Sequence, residues 1–304
     1  MRHIQIIVFA LTFLGGMCYA QKNIMVMSYN VENFFYPETD SLNPDREFTP
    51  DGARHWTMAR FYHKAEQIAR VIAIAQHPDI VCLNEIEDEH CLKALCAKMP
   101  HYPYKFIHFD SPDKRGIDVA ILFDSTLFQL RQTHNYRVPI PETSTRDILY
   151  AQLNNLHLIA CHLPSQLGGA KASQFKRDSA KHLIAHIVDS ILRIDSLAQI
   201  IVCGDMNMSP KENLPPLHNM MLTMAKKGLG THKYKNQWTC LDQFYVSDPL
   251  NNYSTPEIFA PEWLQEEDRR FLGLKPKRTF NGFRYSRSGF SDHLPILLHI
   301  ENIY

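Results

Sequence analysis

Apolar positions along the chain recur with two periods, and the changes between them mark the elements. Residues 23–31 (NIMVMSYNV) read as a strand ending at Asn30. A polar loop from about Tyr36 to His55 follows. From Thr57, a fitting N-cap, apolar Met58, Phe61, Ala65, Ile68, Ala69 and Ile72 recur at helical spacing. Residues 78–88 (PDIVCLNEIED) predict a short strand ending at Glu85, and a helix is expected over roughly 88–98. After YKFIHF comes GIDVAILF (116–123), an apolar strand interrupted by Asp118. The run DILYAQLNNLHLIACHLPS predicts a hairpin turning at Asn154-Asn155, its second strand ending at His162.

The clearest helix spans Ser173 to Ile194, with Leu183, Ile184, Ile187, Val188, Ile191 and Leu192 forming one stripe and Lys176, Arg177, Lys181 and Asp189 placed largely off it. Residues 200–210 (IIVCGDMNMSP) then pose a problem. Four apolar residues run into Asp205 and Asn207, which point the same way in an extended chain. A buried carboxylate costs several kcal/mol unless it is paired, hydrogen-bonded or bound to a metal, although Gly, Asp and Asn also suit a plain turn. A Pro- and Lys-containing connection (209–237), TCLDQFYVS (239–247), a long irregular stretch to about Arg287 and GFSDHLPILLHI (289–300) complete the chain. Strands and helices mix throughout without a linker or repeat, so one α/β domain is expected over residues 21–304.

Composition narrows the picture. At 304 residues and 45% hydrophobic, the chain can bury a large core. Residues 1–20 resemble a cleaved secretory leader: Arg2, an apolar run from Ile4 to Leu14 too short to span a membrane, and Cys18-Tyr19-Ala20 before the cut. A secreted or periplasmic protein without stable membrane insertion is expected. Removing the leader takes away one Arg and no acid, so 31 basic residues face 32 acidic ones and the net charge becomes −1. No basic surface advertises nucleic acid, but a metal ion can supply positive charge within a site. The cysteine spacing matches no disulfide framework or zinc site, although a bridge among Cys91, Cys96 and Cys240 would suit an oxidising compartment.

Strand ends repeatedly carry groups able to bind a hard metal or move a proton: Asn30, Glu85, His162, Asp205 with Asn207, and Asp292-His293, while Asp118 and Asp242 lie inside strands. Each alone has an ordinary structural explanation, as a turn residue, a core histidine or a paired carboxylate. Together they suit attack on phosphorus, which needs a positioned water, neutralisation of the phosphoryl oxygens and a proton for the leaving group.

In order along the chain, SYNVENFF, DIVCLNEIED, GIDVAILFD, CHLPSQLGG, VCGDMNMSP, LDQFYVS and GFSDHLPI resemble the motifs of the endonuclease/exonuclease/phosphatase superfamily. GDMN followed by SDH is the most specific part, and the REFTPDGARHW and KRTFNGFRYS segments resemble a secreted bacterial branch. The resemblance implies a deoxyribonuclease I-like four-layer α/β sandwich, two mixed β-sheets packed face to face with helices outside. It implies Mg²⁺ or Mn²⁺ held by Glu85 with Asn30 and Asp292, and Asp205 and Asn207 aligning the attacking water. His293 would be base or phosphate clamp with Asp242 behind it. His162 would protonate the leaving oxygen, and Asp118 would lie against it. Arg146, Arg177 and Arg278 are candidates to hold a substrate phosphate.

The expected activity is metal-dependent phosphoester hydrolysis by a monomer, nuclease-like on phosphodiesters, with nucleic acid as a possible substrate. A sugar- or inositol-phosphate phosphatase is the alternative. A non-catalytic binding protein on the same scaffold is the rival from another class, since fold does not fix activity. Substrate choice is expected to lie in the loops at 34–56, 209–237 and 248–287.

Overall fold

The computed structural model describes residues 22–38, 46–141, 143–166, 169 and 171–303. The leader-like residues and Gly168 lie outside them. Two six-stranded sheets form the centre. The first runs Ser254–Ile258, Ile296–Ile303, Lys22–Phe34, Ile80–Ile86, Asp118–Asp124, Tyr104–His108. The second runs Leu130–Tyr136, Ile148–Leu153, Leu156–His162, Gln199–Asp205, Asp242–Val246, His218–Asn219. Both are mixed: Lys22–Phe34 lies parallel to Ile80–Ile86, and Leu156–His162 parallel to Gln199–Asp205, among antiparallel neighbours.

Side-chain alternation divides each strand between two cores. Val26, Ile80, Cys82 and Ile121 of the first sheet pack on Leu158, Ala160, Ile201, Cys203 and Phe244 of the second. Met27, Tyr29, Val81 and Leu83 turn outward onto Phe61, Ala65, Ile68 and Ile72 of the helix Met58–Ile74, which Thr57 caps by accepting from Arg60 N, and onto Leu92 and Leu95 of the helix Glu89–Ala97. On the far side, Ile159, Cys161, Ile200 and Val202 meet Ala180, Ile184, Ile187 and Val188 of the helix Gln174–Ile194. Helix, sheet, sheet, helix is the four-layer sandwich expected from the sequence. Arg177 corrects one detail, because it lies on the buried stripe of its helix rather than off it.

Trp56, Phe34 and Phe35 are core residues, so they offer no stacking surface to a ligand, and Trp56 Nε1 donates to Phe35 O at 2.7 Å. Cys91, Cys96 and Cys240 are free thiols, so no bridge joins them. No described helix is long and apolar enough to cross a membrane.

The same alternation delivers the chemistry. Inward-facing Ile201 and Cys203 are followed two residues on by Asp205, Leu158 and Ala160 by His162, and Ile80 and Cys82 by Asn84. Register then brings His162 and Asp242 level with Asp205 across three adjacent strands, and Asn30 level with Asn84 in the facing sheet. The polar groups therefore close one end of the apolar seam between the sheets.

That register depends on Gly204, whose φ of +140° belongs to glycine and where a Cβ would lie 1.7 Å from Cys161 O. Gly204→Ala is therefore expected to destabilise the fold by about 3–5 kcal/mol, read by urea denaturation. A loss below about 1 kcal/mol would show that the strands can separate there without cost.

Candidate active site

Asp205 is the centre of the polar group and only 2% exposed. Its Oδ1 accepts from Asn207 N at 3.0 Å, and its Oδ2 from Asn30 Nδ2 at 3.2 Å. Two imidazoles face the same Oδ2, His162 Nε2 at 3.5 Å and His293 Nε2 at 3.8 Å. Behind His293, Asp242 Oδ2 stands 2.7 Å from Nδ1. Asn207 takes a left-handed φ of 48° and Glu85 one of 66°. Such conformations cost about 1–3 kcal/mol each and persist where surrounding contacts over-determine them. At Asn207 those contacts include its Nδ2 donating to Leu163 O at 3.0 Å.

Backbone anchors fix these positions. Asn84 Nδ2 donates to Cys161 O at 3.1 Å while its Oδ1 accepts from Asp205 N, also at 3.1 Å, so one side chain ties the two sheets together beneath the site. Ser291 Oγ donates to Asn30 O and accepts from His293 N, which joins the SDH segment to the Asn30 strand. Thr231 Oγ1 accepts from Leu241 N and Asp242 N, while Thr231 O accepts from Leu294 N. Asn84, Ser291 and Thr231 were not singled out from the sequence. A polar Asn inside the run IVCLNEI was the available signal for the first.

Charges sort the roles. Burial pushes the Asp205 carboxyl up, and with the neighbouring Asp242 and Glu85 charges it prevails over the His293 charge and the Asn207 hydrogen bond, leaving a pKa of about 7. Burial opposes the His293 imidazolium, but Asp242, Asp205 and Asp292 together outweigh it and hold its pKa well above the ordinary histidine value. Burial, followed by the Arg146, Arg115 and His293 charges, drives His162 the other way, so it is neutral.

Asp118 departs from the sequence expectation. Its carboxylate lies 3.3 Å from His108 Nε2 and accepts from Ser111 N and Oγ, whereas His162 Nδ1 is buried without a hydrogen-bond partner. Val119, Ile121 and Phe123 face the inter-sheet core, so alternation turns Asp118 to the other face. Of the two histidines at Asp205, His293 alone has a carboxylate behind it among the described residues.

Two of the three arginines also differ. Arg146 is buried, with Nε donating to His162 O, Nη2 to Leu163 O and Nη1 to Asp113. Arg177 is 1% exposed and donates to Pro164 O, Ser173 Oγ and Gln174 Oε1. Both brace the chain that leaves His162, which makes them positioning residues rather than phosphate ligands. Arg278 does reach the cleft, with Nη2 2.6 Å from Asp292 Oδ2. Beneath it Glu32 accepts from Thr279 N and Phe280 N, and Lys64 donates to Thr279 Oγ1 and Phe290 O, pinning the KRTF segment.

Glu85 accepts from Asn33 N at 2.9 Å and lies 3.4 Å from Arg115 Nη2. Asp292 gathers with His232 and His293, their ligand atoms within 4.8 Å of one another. Glu85 belongs to no such trio among the described residues. Magnesium needs only one or two protein carboxylates, with water and substrate phosphate completing its shell. The oxygen donors of Glu85 and Asn30, beside the buried anions Asp205 and Asp242, fit a hard divalent cation.

Replacing Asp242 by Asn removes the largest charge that holds His293 protonated. The His293 titration midpoint, followed by NMR in the metal-free protein, is expected to fall toward about 6.5. An unchanged midpoint would show that Asp242 does not set the histidine's charge.

Comparison with known proteins gives the family and the fold. The model of the Endonuclease/Exonuclease/phosphatase family matches residues 25–302. No curated protein matches significantly. Among solved structures, truncated TDP2 of Caenorhabditis elegans superposes with a TM-score of 0.58 at 18% identity, covering 92% of this chain and 98% of that one. The human Nocturnin catalytic domain with bound sulfate gives 0.56 at 17%, covering 92% and 96%. Mannosyl-6-phosphatase Bt3783 of Bacteroides thetaiotaomicron gives 0.57 at 14%, covering 90% and 98%. At these identities the likeness carries the fold, and the family match spans nearly all of the chain outside the leader-like segment: the protein belongs to the endonuclease/exonuclease/phosphatase family.

Proposed function

We propose that the protein is a Mg²⁺- or Mn²⁺-dependent phosphoester hydrolase that uses water as nucleophile, acting outside the cytoplasm as the leader-like residues suggest. One observation carries the reading: the His162 and His293 imidazoles converge on one oxygen of the buried Asp205 carboxylate, 3.5 and 3.8 Å away. A pKa of about 7 suits Asp205 to take a proton from water at neutral pH. His293, kept cationic by Asp242, then serves as a clamp on a phosphoryl oxygen rather than as the base. Neutral His162 can donate a hydrogen bond from Nε2 that orients Asp205. The water oxygen bonds to phosphorus, the ester oxygen leaves and takes its proton from solvent, and the proton gained by Asp205 returns to solvent. Glu85 and Asn30 would hold the cation, which neutralises phosphoryl charge when bound.

The substrate reading shifts with Asp118. The nuclease-like expectation rests on the resemblance of His162 to the deoxyribonuclease-type arrangement, and Asp118, expected against it, instead faces His108. The near-zero net charge also supplies no general attraction for a polyanion. Both observations favour a small phosphomonoester, of the kind that the name of the mannosyl-6-phosphatase relative describes, over a nucleic-acid strand. Phosphodiester cleavage is the second reading, supported by the superposition on TDP2, which was also solved in the Danio rerio form with a single-strand DNA product.

Sugar phosphates, bis(p-nitrophenyl) phosphate, duplex DNA and RNA assayed side by side in Mg²⁺ and in EDTA separate these readings. Hydrolysis is expected to vanish in EDTA and to fall at least ~10³-fold in Asp205→Ala and in His293→Ala, with folding intact by circular dichroism. Near wild-type turnover by folded His293→Ala would overturn the mechanism, and strand scission without phosphate release would overturn the substrate reading.

A further inference from the structure

We infer that Arg115 is a substrate-phosphate ligand of this site, and that its contact with Glu85 is exchanged for a phosphate when cation and substrate bind. The inference rests on the phosphoesterase reading above and names a residue that the sequence motifs did not supply.

Three observations carry it. First, Arg115 is a half-exposed guanidinium beside Glu85, its side chain 48% accessible, whereas Arg146 and Arg177 are buried and committed to backbone carbonyls. Arg278 is the remaining arginine candidate, and Asp292 already engages it at 2.6 Å. Second, Arg115 has rigid support. Asp113 Oδ1 accepts from Arg115 N at 2.9 Å, and Gly116 N closes the turn onto Asp113 O at 3.0 Å. The other Asp113 oxygen accepts from Arg146, which also holds the carbonyls of His162 and Leu163. One buried arginine therefore fixes both the His162 segment and the turn that presents Arg115. Third, the side chain's present partners are replaceable. Arg115 Nη2 lies 2.7 Å from Asn33 Oδ1 and 3.4 Å from Glu85 Oε1.

On the reading above Glu85 would hold the cation, and its charge, now set against Arg115, would be shared with that cation and would release the guanidinium for a phosphate. A planar, permanently charged fork suits a dianionic phosphate. The opposing requirement, that an exposed arginine lose little by exchanging partners, is also met. An ion pair at this accessibility contributes little, less than a charge-assisted contact with phosphate.

The two roles move in opposite directions in Arg115→Ala. Loss of a competing cation leaves Mg²⁺ uptake, measured by calorimetry without substrate, unchanged or tighter. Inorganic phosphate, titrated into the Mg²⁺-loaded protein, is expected to bind about 10- to 100-fold more weakly, with KM for the best substrate of the panel raised more than kcat is lowered. Arg115→Lys, which keeps the charge without the fork, should recover part of the phosphate affinity. Wild-type phosphate affinity in Arg115→Ala would overturn the inference, as would parallel loss of Mg²⁺ and phosphate binding with a lowered melting temperature. Should Arg115→Ala fail to fold, Arg115→Gln is judged by the same two titrations. If the wild-type protein hydrolyses nothing, the phosphoesterase reading fails, while phosphate titration still decides whether Arg115 binds the anion.

Discussion

A carboxylate at the end of an apolar seam is held there only by what its neighbours donate to it. Asp205 is 2% exposed, and burial of an isolated charge would cost several kcal/mol. Asn207 N, Asn30 Nδ2 and the two imidazoles offset part of that cost with hydrogen bonds and charge. Each donor comes from a different segment, so the satisfaction of one side chain fixes how the segments meet. Gly204 permits the close strand approach that puts His162 level with Asp205, and Asn84 ties the sheets together beneath it.

Much of this was legible from pattern. The apolar runs with Asn30, Glu85, His162 and Asp205 at their polar ends are strands, although the first runs on to Phe34 and the second to Ile86, and the helix expected from residue 173 begins within a residue of that place. Strand parity would also have placed Asp118 correctly, because it lies out of step with the inward-facing Val119, Ile121 and Phe123. The family pairing of Asp118 with His162 runs against that parity. Arg146 and Arg177 were misread for another reason: sequence shows a guanidinium but not whether nearby carbonyls consume its donors. Asn84, Ser291 and Thr231 act through backbone contacts between segments distant in the chain, which no local pattern encodes.

The electrostatics follow from the same crowding. Asp205, Asp242, Glu85 and Asp292 gather where the sheets end, and the buried environment magnifies their mutual repulsion. The protein answers this with unequal histidines: His293 is charged because Asp242 stands behind it, while burial, helped by nearby arginine charges, keeps His162 neutral. Positive charge beside these acids comes from Arg115 and Arg278, each set against a carboxylate. A divalent cation at Glu85 would complete this balance and redirect an arginine toward phosphate.

Anomalous diffraction from crystals soaked in Mn²⁺ and inorganic phosphate tests that balance most directly. The account requires a manganese peak bonded to Glu85 and phosphate oxygens between it and His293. Manganese bound elsewhere, or phosphate seated away from Asp205 and His293, would contradict it.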